Sequence, residues 1–444
     1  MSIDECVEYA LAHRHDLAAS EDRIRVAESG IGQARSNYAP RLFANVDYGM
    51  NAARGTMGNG DKQNSLGFNV GISEMIWDFG KTTARINMAQ YNTLSAHYDH
   101  QFEELAIVYD VKIRYYQVLM ALANLDIYEQ NVRINTLNYE RTKAMFDEGL
   151  KSKIDVVNAE VNLADAKILM VEGQNKLETA MIALKDAIDY EEDSEFIVTN
   201  TENFGFLKTD YREKMRSVNQ TKPVSSFTAK KNEDGLIMLS SGIEHNDFLQ
   251  NYEFKPLKLS KQEAIDKAMK ERPDLKAARM VQNVQEESLK AIKRSYAPEL
   301  DANVSMGYTK REGADSTPLQ VGVGFGIGSV NPYGIHYQIK EGEAYLDIAK
   351  HNVNIAICDI FYGVQDNYVN MRQLERKIPL MNTKVKATLE NFELADGRYS
   401  VGLNNYVELQ DALTNYNKSQ LSFVEAVFEY NVARETLLKS MGVK

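Results

Sequence analysis

Cysteine and proline are nearly missing from this chain. Its two cysteines in 444 residues, Cys6 and Cys358, are too few for a disulfide framework or a thiolate metal site, and both read as buried or neutral. Eight prolines, with no flexible linker composition, argue for long continuous elements rather than a string of small domains. A run of about 18 uninterrupted apolar residues is also absent, which excludes a transmembrane helix. It does not exclude transmembrane β-strands, whose alternation hardly raises a mean hydropathy of −0.41. Basic clusters are lacking as well: a net charge of −12 and a pI near 5.3 speak against nucleic acid as a partner. Met1 runs into a capped helix pattern, SIDECVEYAL, without the basic and apolar regions of a signal peptide. The chain therefore reads as cytosolic, or as one whose signal peptide is absent from this sequence; no apolar leader of a lipid anchor precedes Cys6.

What is present is a repeat. SIDECVEYALAHRHDLAA is answered by SKQEAIDKAMKERPDLKAA, and SNYAPRLFANVDYG by RSYAPELDANVSMG. Further along, FDEGLKSKIDVVNA faces YSVGLNNYVELQDA, so that Gly149 stands opposite Gly402 at an offset of 402 − 149 = 253. Self-similarity on this scale means that one structural unit is used twice. Each half reads as helix, strand pair, long helix, tight turn, long helix. The expected division is 1–188 for the first repeat, 189–258 for an inter-repeat segment of mixed charge read as an equatorial domain, and 259–444 for the second repeat.

Four stretches, about 42–51, 65–77, 300–308 and 319–328, alternate with period two. Leu42, Ala44, Val46, Tyr48 and Met50 oppose Phe43, Asn45, Asp47 and Gly49; Leu319, Val321, Val323, Phe325 and Ile327 oppose Gln320, Gly322, Gly324, Gly326 and Gly328. Roughly 9–12 residues is the length that a tilted strand needs to cross a bilayer, and Trp77, Tyr308 and Tyr333 fall near strand ends, where aromatic girdles sit. A sheet with lipid outside and water inside fits these strands; a soluble sheet with one wet face is the alternative. Four strands cannot close around water, and an open edge in lipid is forbidden, so several chains must complete a barrel. Three copies giving about twelve strands is the simplest closure, although composition does not exclude another count.

From Gly80 to about Phe146 the pattern is helical without proline, and some ~65 residues at ~1.5 Å rise would extend about 100 Å if straight. Beyond Gly149, the residues Ile154, Val157, Val161, Ala164, Ile168 and Val171 step by threes and fours, as do Leu409, Leu413, Tyr416, Gln420, Phe423, Val427, Tyr430, Arg434 and Leu437. Both read as coiled-coil packing seams. Gly402 with Asn404 and Asn405 marks a turn between two helices, beyond which Glu408 and Asp411 share one helical face.

Little here carries catalytic chemistry. Gly80-Lys81-Thr82 resembles the end of a phosphate loop, but Met75 stands where the loop needs glycine. The strand glycines lack the spacing of a dinucleotide fingerprint. His13 with His15 and His97 with His100 read as surface residues without a third metal ligand. No enzyme, cofactor or metal is expected.

With the duplicated Tyr-Ala-Pro boundary, the IWDFGK junction and the EGL and VGL turns in hand, the chain resembles the TolC family of outer-membrane channel proteins from Ile3 to Gly442. The resemblance implies an α+β membrane protein. In that fold a trimeric twelve-stranded β-barrel, four strands per chain, is continued by a long α-helical coiled-coil tunnel with an internal two-fold repeat. It implies an exit duct of a tripartite efflux or type I secretion system, a homotrimer in outer-membrane lipid, working with a periplasmic adaptor (membrane fusion protein) and an inner-membrane pump. By the same resemblance, Glu408 and Asp411 form the constriction and Asp155 and Tyr399 belong to a tip lock. Glu148, Gly149, Leu150, Val401, Gly402 and Leu403 meet the adaptor, and Pro40, Gly80, Pro298 and Gly334 mark the helix-to-barrel junction. Asn404 stands where the family's lock has arginine, and Lys151, Lys153 or Arg398 could replace it. On the residues alone, a periplasmic coiled-coil scaffold without transport is the alternative.

Overall fold

The computed structural model describes residues 1–52, 62–190, 198, 254, 256–311, 314–327 and 331–443. In chain order the elements are α1 (Ile3–His13), α2 (His15–Arg35), β1 (Arg41–Ala52), β2 (Lys62–Trp77), α3 (Lys81–Asp147), α4 (Lys153–Ala187), α5 (Lys261–Glu271), α6 (Pro273–Lys293), β3 (Glu299–Arg311), β4 (Ala314–Ser316), β5 (Leu319–Gly326), α7 (Pro332–Ser400) and α8 (Tyr406–Ser440). The helices of the two halves match in order and length: α1 and α5 have 11 residues each, α2 and α6 have 21, α4 and α8 have 35, and α3 and α7 have 67 and 69, while β4 has no counterpart among the described residues of the first half. Even the starts coincide. Ser2 and Ser260 each accept the N–H three residues on at 3.2 Å, while Glu5 and Glu263 return a bond to the serine N–H, reciprocal caps each contributing about 1 kcal/mol. Between Tyr190 and Phe254 almost the whole expected equatorial segment lies outside the described residues.

The contacts divide the chain into two compact units, each drawing on both repeats. One comprises Met1–Ala18, Glu103–Arg272 and Ile360–Lys444; the other comprises Ala19–Phe102 and Pro273–Asp359.

The second unit holds the sheet. β1, β2, β3 and β5 pair antiparallel in that order, and the short β4 extends the β5 edge along β3 across the break at Thr317-Pro318. Its register lines up one apolar face: Leu42 opposes Ile72, which opposes Val304, which opposes Val321, and the next row is Ala44, Val70, Met306 and Leu319. On the other face, Phe43, Gly71, Ser305 and Gln320 form one row and Asn45, Asn69 and Gly307 another. Gly71 is needed there because a Cβ would stand 2.5 Å from the Phe43 ring and 2.7 Å from Ser305. Among the described residues nothing covers the apolar face: Leu42, Leu319, Val321, Val323 and Phe325 are all about 70% or more exposed. Among the described residues, neither β1 nor β5 has a second strand partner.

The first unit is helical. The α8 seam packs as the spacing predicts, with Leu409, Leu413, Tyr416, Gln420, Phe423, Val427, Tyr430 and Leu437 buried. α4 differs: Ile154, Val157, Val161, Ile168 and Val171 lie open, and the helix instead buries Ala159, Ala166 and Gly173, small residues seven apart, followed by Leu177, Met181 and Leu184. Gly173 lets the Tyr128 ring lie against the backbone. Among the described residues, the apolar stripe of α4 is thus a face without a partner. Of the two alternatives read for the cysteines, burial holds for Cys6, whose thiol pKa it pushes up to about 11, and fails for Cys358, which is exposed.

Candidate functional site: the paired hairpin turns

The two long hairpins of the first unit end in matching turns. Gly149 and Gly402 have φ of +77° and +78°, a left-handed conformation that costs glycine nothing and a side chain about 1–2 kcal/mol. In the first turn the Gly149 N–H donates to Phe146 O and the Leu150 N–H to Met145 O; in the second, Gly402 donates to Tyr399 O and Leu403 to Arg398 O. This is one helix C-cap made twice. The next helix is then started by a side chain. The Ser152 hydroxyl and N–H both bond the Asp155 carboxylate, and Asn405 Oδ1 accepts the Glu408 N–H at 2.8 Å. Leu150, Val401 and Leu403 are left 70%, 68% and 78% exposed, and Glu148 is exposed as well.

Behind the turns the hairpins are tied by polar groups. Arg141 Nη1 on α3 donates to Asp396 Oδ1 on α7 at 2.6 Å, and both side chains are almost wholly buried. One residue on, the Thr142 hydroxyl pairs with the Tyr399 hydroxyl at 2.9 Å, and Lys151 from the first turn lies over the Tyr399 ring, 4.6 Å from its centroid. On the α4–α8 side, Asn162 Nδ2 donates to the Tyr406 hydroxyl at 3.2 Å, and the Tyr399 and Tyr406 rings meet edge to face. Burial raises the pKa of both phenols; at Tyr399 the Thr142 bond acts against that rise and the nearby Asp155 charge adds to it.

The expected site residues fall into three groups. The turns that carry Glu148 to Leu150 and Val401 to Leu403 are linked by the neighbouring residues Lys151 and Tyr399, not by these residues themselves. Asp155 and Tyr399 share the neighbourhood, but no hydrogen bond joins them: Asp155 caps its own helix and Tyr399 is held by Thr142. Glu408 and Asp411 are exposed on one face of α8, while Leu409, Ala412 and Leu413 are buried on the other. Among the described residues of one chain, no ion pair involves either carboxylate. Of the three cations considered for the place opposite Asn404, Lys151 is the one that contacts Tyr399.

Sequence reasoning missed Arg141, Thr142 and Asp396. Their separations of 255 and 257 are close to the 253 offset of the repeat, so equivalent levels of α3 and α7 face each other. That near-equality was the available signal.

Pro40, Gly80, Pro298 and Gly334 lie in the other unit. The prolines follow matching 3-10 turns, Ser36–Tyr38 and Arg294–Tyr296, and precede β1 and β3. Asp78 is buried and accepts from the Gly80 N–H, the Thr82 N–H and the Tyr38 hydroxyl, which starts α3; Asn331 does the same for α7 by accepting the Gly334 N–H. Burial raises the Asp78 pKa, but the hydrogen bonds outweigh it and the net direction is down.

Comparison with known proteins agrees in extent. The family model described as outer membrane efflux protein matches residues 6–188 and 264–443. The outer membrane protein TolC of Escherichia coli K12 is 20% identical over 428 residues, covering 93% of this chain and 76% of that protein. Among solved structures, CusC, studied for the changes that accompany its folding and transmembrane channel formation, superposes with a TM-score of 0.75 at 16% identity over 100% of this chain and 92% of its own. The CmeC outer membrane channel of Campylobacter jejuni gives 0.73 at 14% identity over 99% and 85%.

Proposed function

Because this chain belongs to the outer membrane efflux protein family, a family of transport channels and not of enzymes, we propose that it is an exit duct in the outer membrane of a Gram-negative bacterium. The observation that carries this reading is the four-stranded sheet, whose apolar face is bare and whose two edge strands lack outer partners among the described residues. Such a sheet suits lipid only when copies close it, and three copies give about twelve strands, within the range of membrane barrels. The open heptad stripe of α4 supplies a seam for a neighbouring copy.

In this assembly the duct is passive. Its turns present Leu150, Val401 and Leu403 to a periplasmic adaptor, and an inner-membrane pump supplies the energy, as in tripartite efflux or type I secretion. Three copies of Glu408 and Asp411 would bring six carboxylates to one axis, where they attract cations and repel one another. Lys151, Thr142 and Arg141 hold the hairpins together against that repulsion, with Lys151 in the place of the family's lock arginine.

Single-channel conductance in planar bilayers tests the constriction. The double variant Glu408→Ala with Asp411→Ala is expected to conduct more and to prefer cations less than the wild type. Unchanged conductance and selectivity in a trimer of normal size would remove both acids from the constriction.

A further inference from the structure

We propose that the polar face of the sheet holds a subsite for a neutral hexopyranose ring, and that the cargo of the duct is a saccharide. The proposal rests on the duct reading above and adds to it a chemical class of cargo. All the glycines among the described strand residues fall on the polar face and none on the apolar one. Two of them, Gly67 on β2 and Gly307 on β3, are diagonal neighbours, and beside them the wall is hollowed into a recess of about 200 Å³, comparable to one six-membered sugar ring. Asp47, Asn69, Ser305, Thr309 and Gln320 line it, with Ser305 as the floor at 6% exposure. They bring one carboxylate, two amides and two hydroxyls to a single hollow. Among the described residues, none of these five side chains is engaged in a hydrogen bond.

A neutral sugar ring carries a belt of hydroxyls, each a donor and an acceptor, around two faces of C–H groups. The belt suits this lining, because a carboxylate accepts from two neighbouring hydroxyls and an amide both donates and accepts. None of the described lining residues is basic, and Asp47 repels an anion, so a phosphate or an acidic sugar does not fit. The C–H faces need an apolar plane, and Phe43 supplies one on the adjoining row. Its ring reaches across to Gly71, where the ring tip and Ser305 crowd the place that a Cβ would take. The ring therefore lies along the wall and turns one face to the water. Any wet wall offers hydroxyls and amides. A flat aromatic ring beside a recess of one-sugar size is what sets this place apart.

Single-channel current of the full-length protein in planar bilayers tests the subsite, with maltohexaose as the probe and polyethylene glycol of equal hydrodynamic radius as the control for plain exclusion. Maltohexaose is expected to block the current in a saturating manner, half-complete on the order of 10 mM, whereas the polymer lowers it in proportion to concentration. Hexagalacturonate, of similar size but acidic, should block roughly tenfold more weakly. Glucose added alone separates two sources of the ring: block at the same concentration per ring assigns the recess to a lone sugar, and block by the hexamer only assigns it to a glycan chain. Phe43→Leu, which keeps the apolar bulk without the flat face, and Asn69→Leu should each raise the half-blocking concentration about fivefold at unchanged open-channel conductance. Gly67→Val fills the recess without strain, since a Cβ there meets no atom closer than 3.8 Å, and should abolish the saturating block. A maltohexaose response no different from that of the polymer would overturn the subsite and leave the duct standing. So would a saturating block that Phe43→Leu and Gly67→Val both leave unmoved. Failure of the wild type to form channels would count instead against the duct reading itself.

Discussion

The buried seam of α3 changes character along its length within a single unit. From Leu105 to Ile134 it is mostly aliphatic and aromatic: Val111, Tyr115, Val118, Leu119, Leu122, Leu125 and Ile127 are all buried. From Asn135 to the turn every buried residue of α3 is polar, namely Asn135, Asn138, Arg141 and Thr142. Just above this boundary Asn131 Oδ1 accepts from Asn417 and from Asn135, whereas Asn135 Oδ1 and Asn138 Nδ2 have no hydrogen-bond partner among the described residues. The difference teaches what each half of the helix is for. Apolar seams stabilise through burial, about 0.8 kcal/mol per CH₂ group, and tolerate many partners. Amides and ion pairs at seam positions add little net stability but fix one alignment, because any slip leaves a charge or a dipole unpaired. In the duct proposed above, turns that open need a part that yields next to a part that holds, and the change from an apolar to a polar seam falls before the turn at Gly149.

Breaking the Arg141–Asp396 pair is expected to have the largest effect. Asp396→Ala strands a guanidinium that is 4% exposed, at a cost of about 3–5 kcal/mol. Hydrogen exchange should speed up by orders of magnitude at Phe146–Leu150 and Tyr399–Leu403 while amides near Leu119 stay protected. The double replacement Arg141→Met with Asp396→Leu should recover most of that protection, since apolar substitutes for a buried pair are often neutral or better. If exchange near Leu119 accelerates equally in the single variant, the two halves of the seam are one cooperative unit and the comparison fails.

A pair of substitutions with opposite signs sharpens it. Leu122→Ala removes buried methyl groups from the aliphatic half and should cost about 2–4 kcal/mol of global stability in thermal unfolding of the detergent-solubilised protein. Asn138→Leu removes an unpartnered amide from the polar half and should instead gain about 1 kcal/mol. The gain should appear as slower exchange at the two turns and a narrower distribution of open-channel events. Loss of stability in Asn138→Leu would mean that the amide has a role in the closed arrangement.

Much of this architecture was legible because local chemistry and the repeat agreed. Gly149 and Gly402 could be placed because only a left-handed residue ends these helices so tightly, and SIDE and SKQE announce their caps through serine followed by glutamate three positions on. The polar end of the α3 seam was not legible, since a search for apolar periodicity passes over Asn131, Asn135, Asn138 and Thr142, although they keep steps of four, three and four. The stripe of α4 was seen, but period says only that a face is apolar and not which chain covers it; Ala159, Ala166 and Gly173 were the quieter sign of the face used within the chain. Trp77 was noted for its place near a strand end, while its facing was set by a one-residue bulge that no alternation rule contains.

Alkaline titration is expected to separate the two halves least. Tyr116, in the aliphatic half, is pushed up to about 12 by burial, with the Glu435 charge adding to it. Tyr416, stacked on Phe392 beside the amides, is likewise pushed up to about 12 by burial, with Glu393 adding to it. A phenol whose pKa is higher folded than unfolded stabilises the fold fully below the unfolded value near 10, and that contribution is lost as pH rises through the folded value. Both buried phenols should therefore ionise together, with unfolding, only towards pH 12. Selective early ionisation of Tyr416, read by comparing the wild type with Tyr416→Phe, would mean that water already reaches the polar half in the closed duct. The amides would then be a hydrated seam rather than an alignment device.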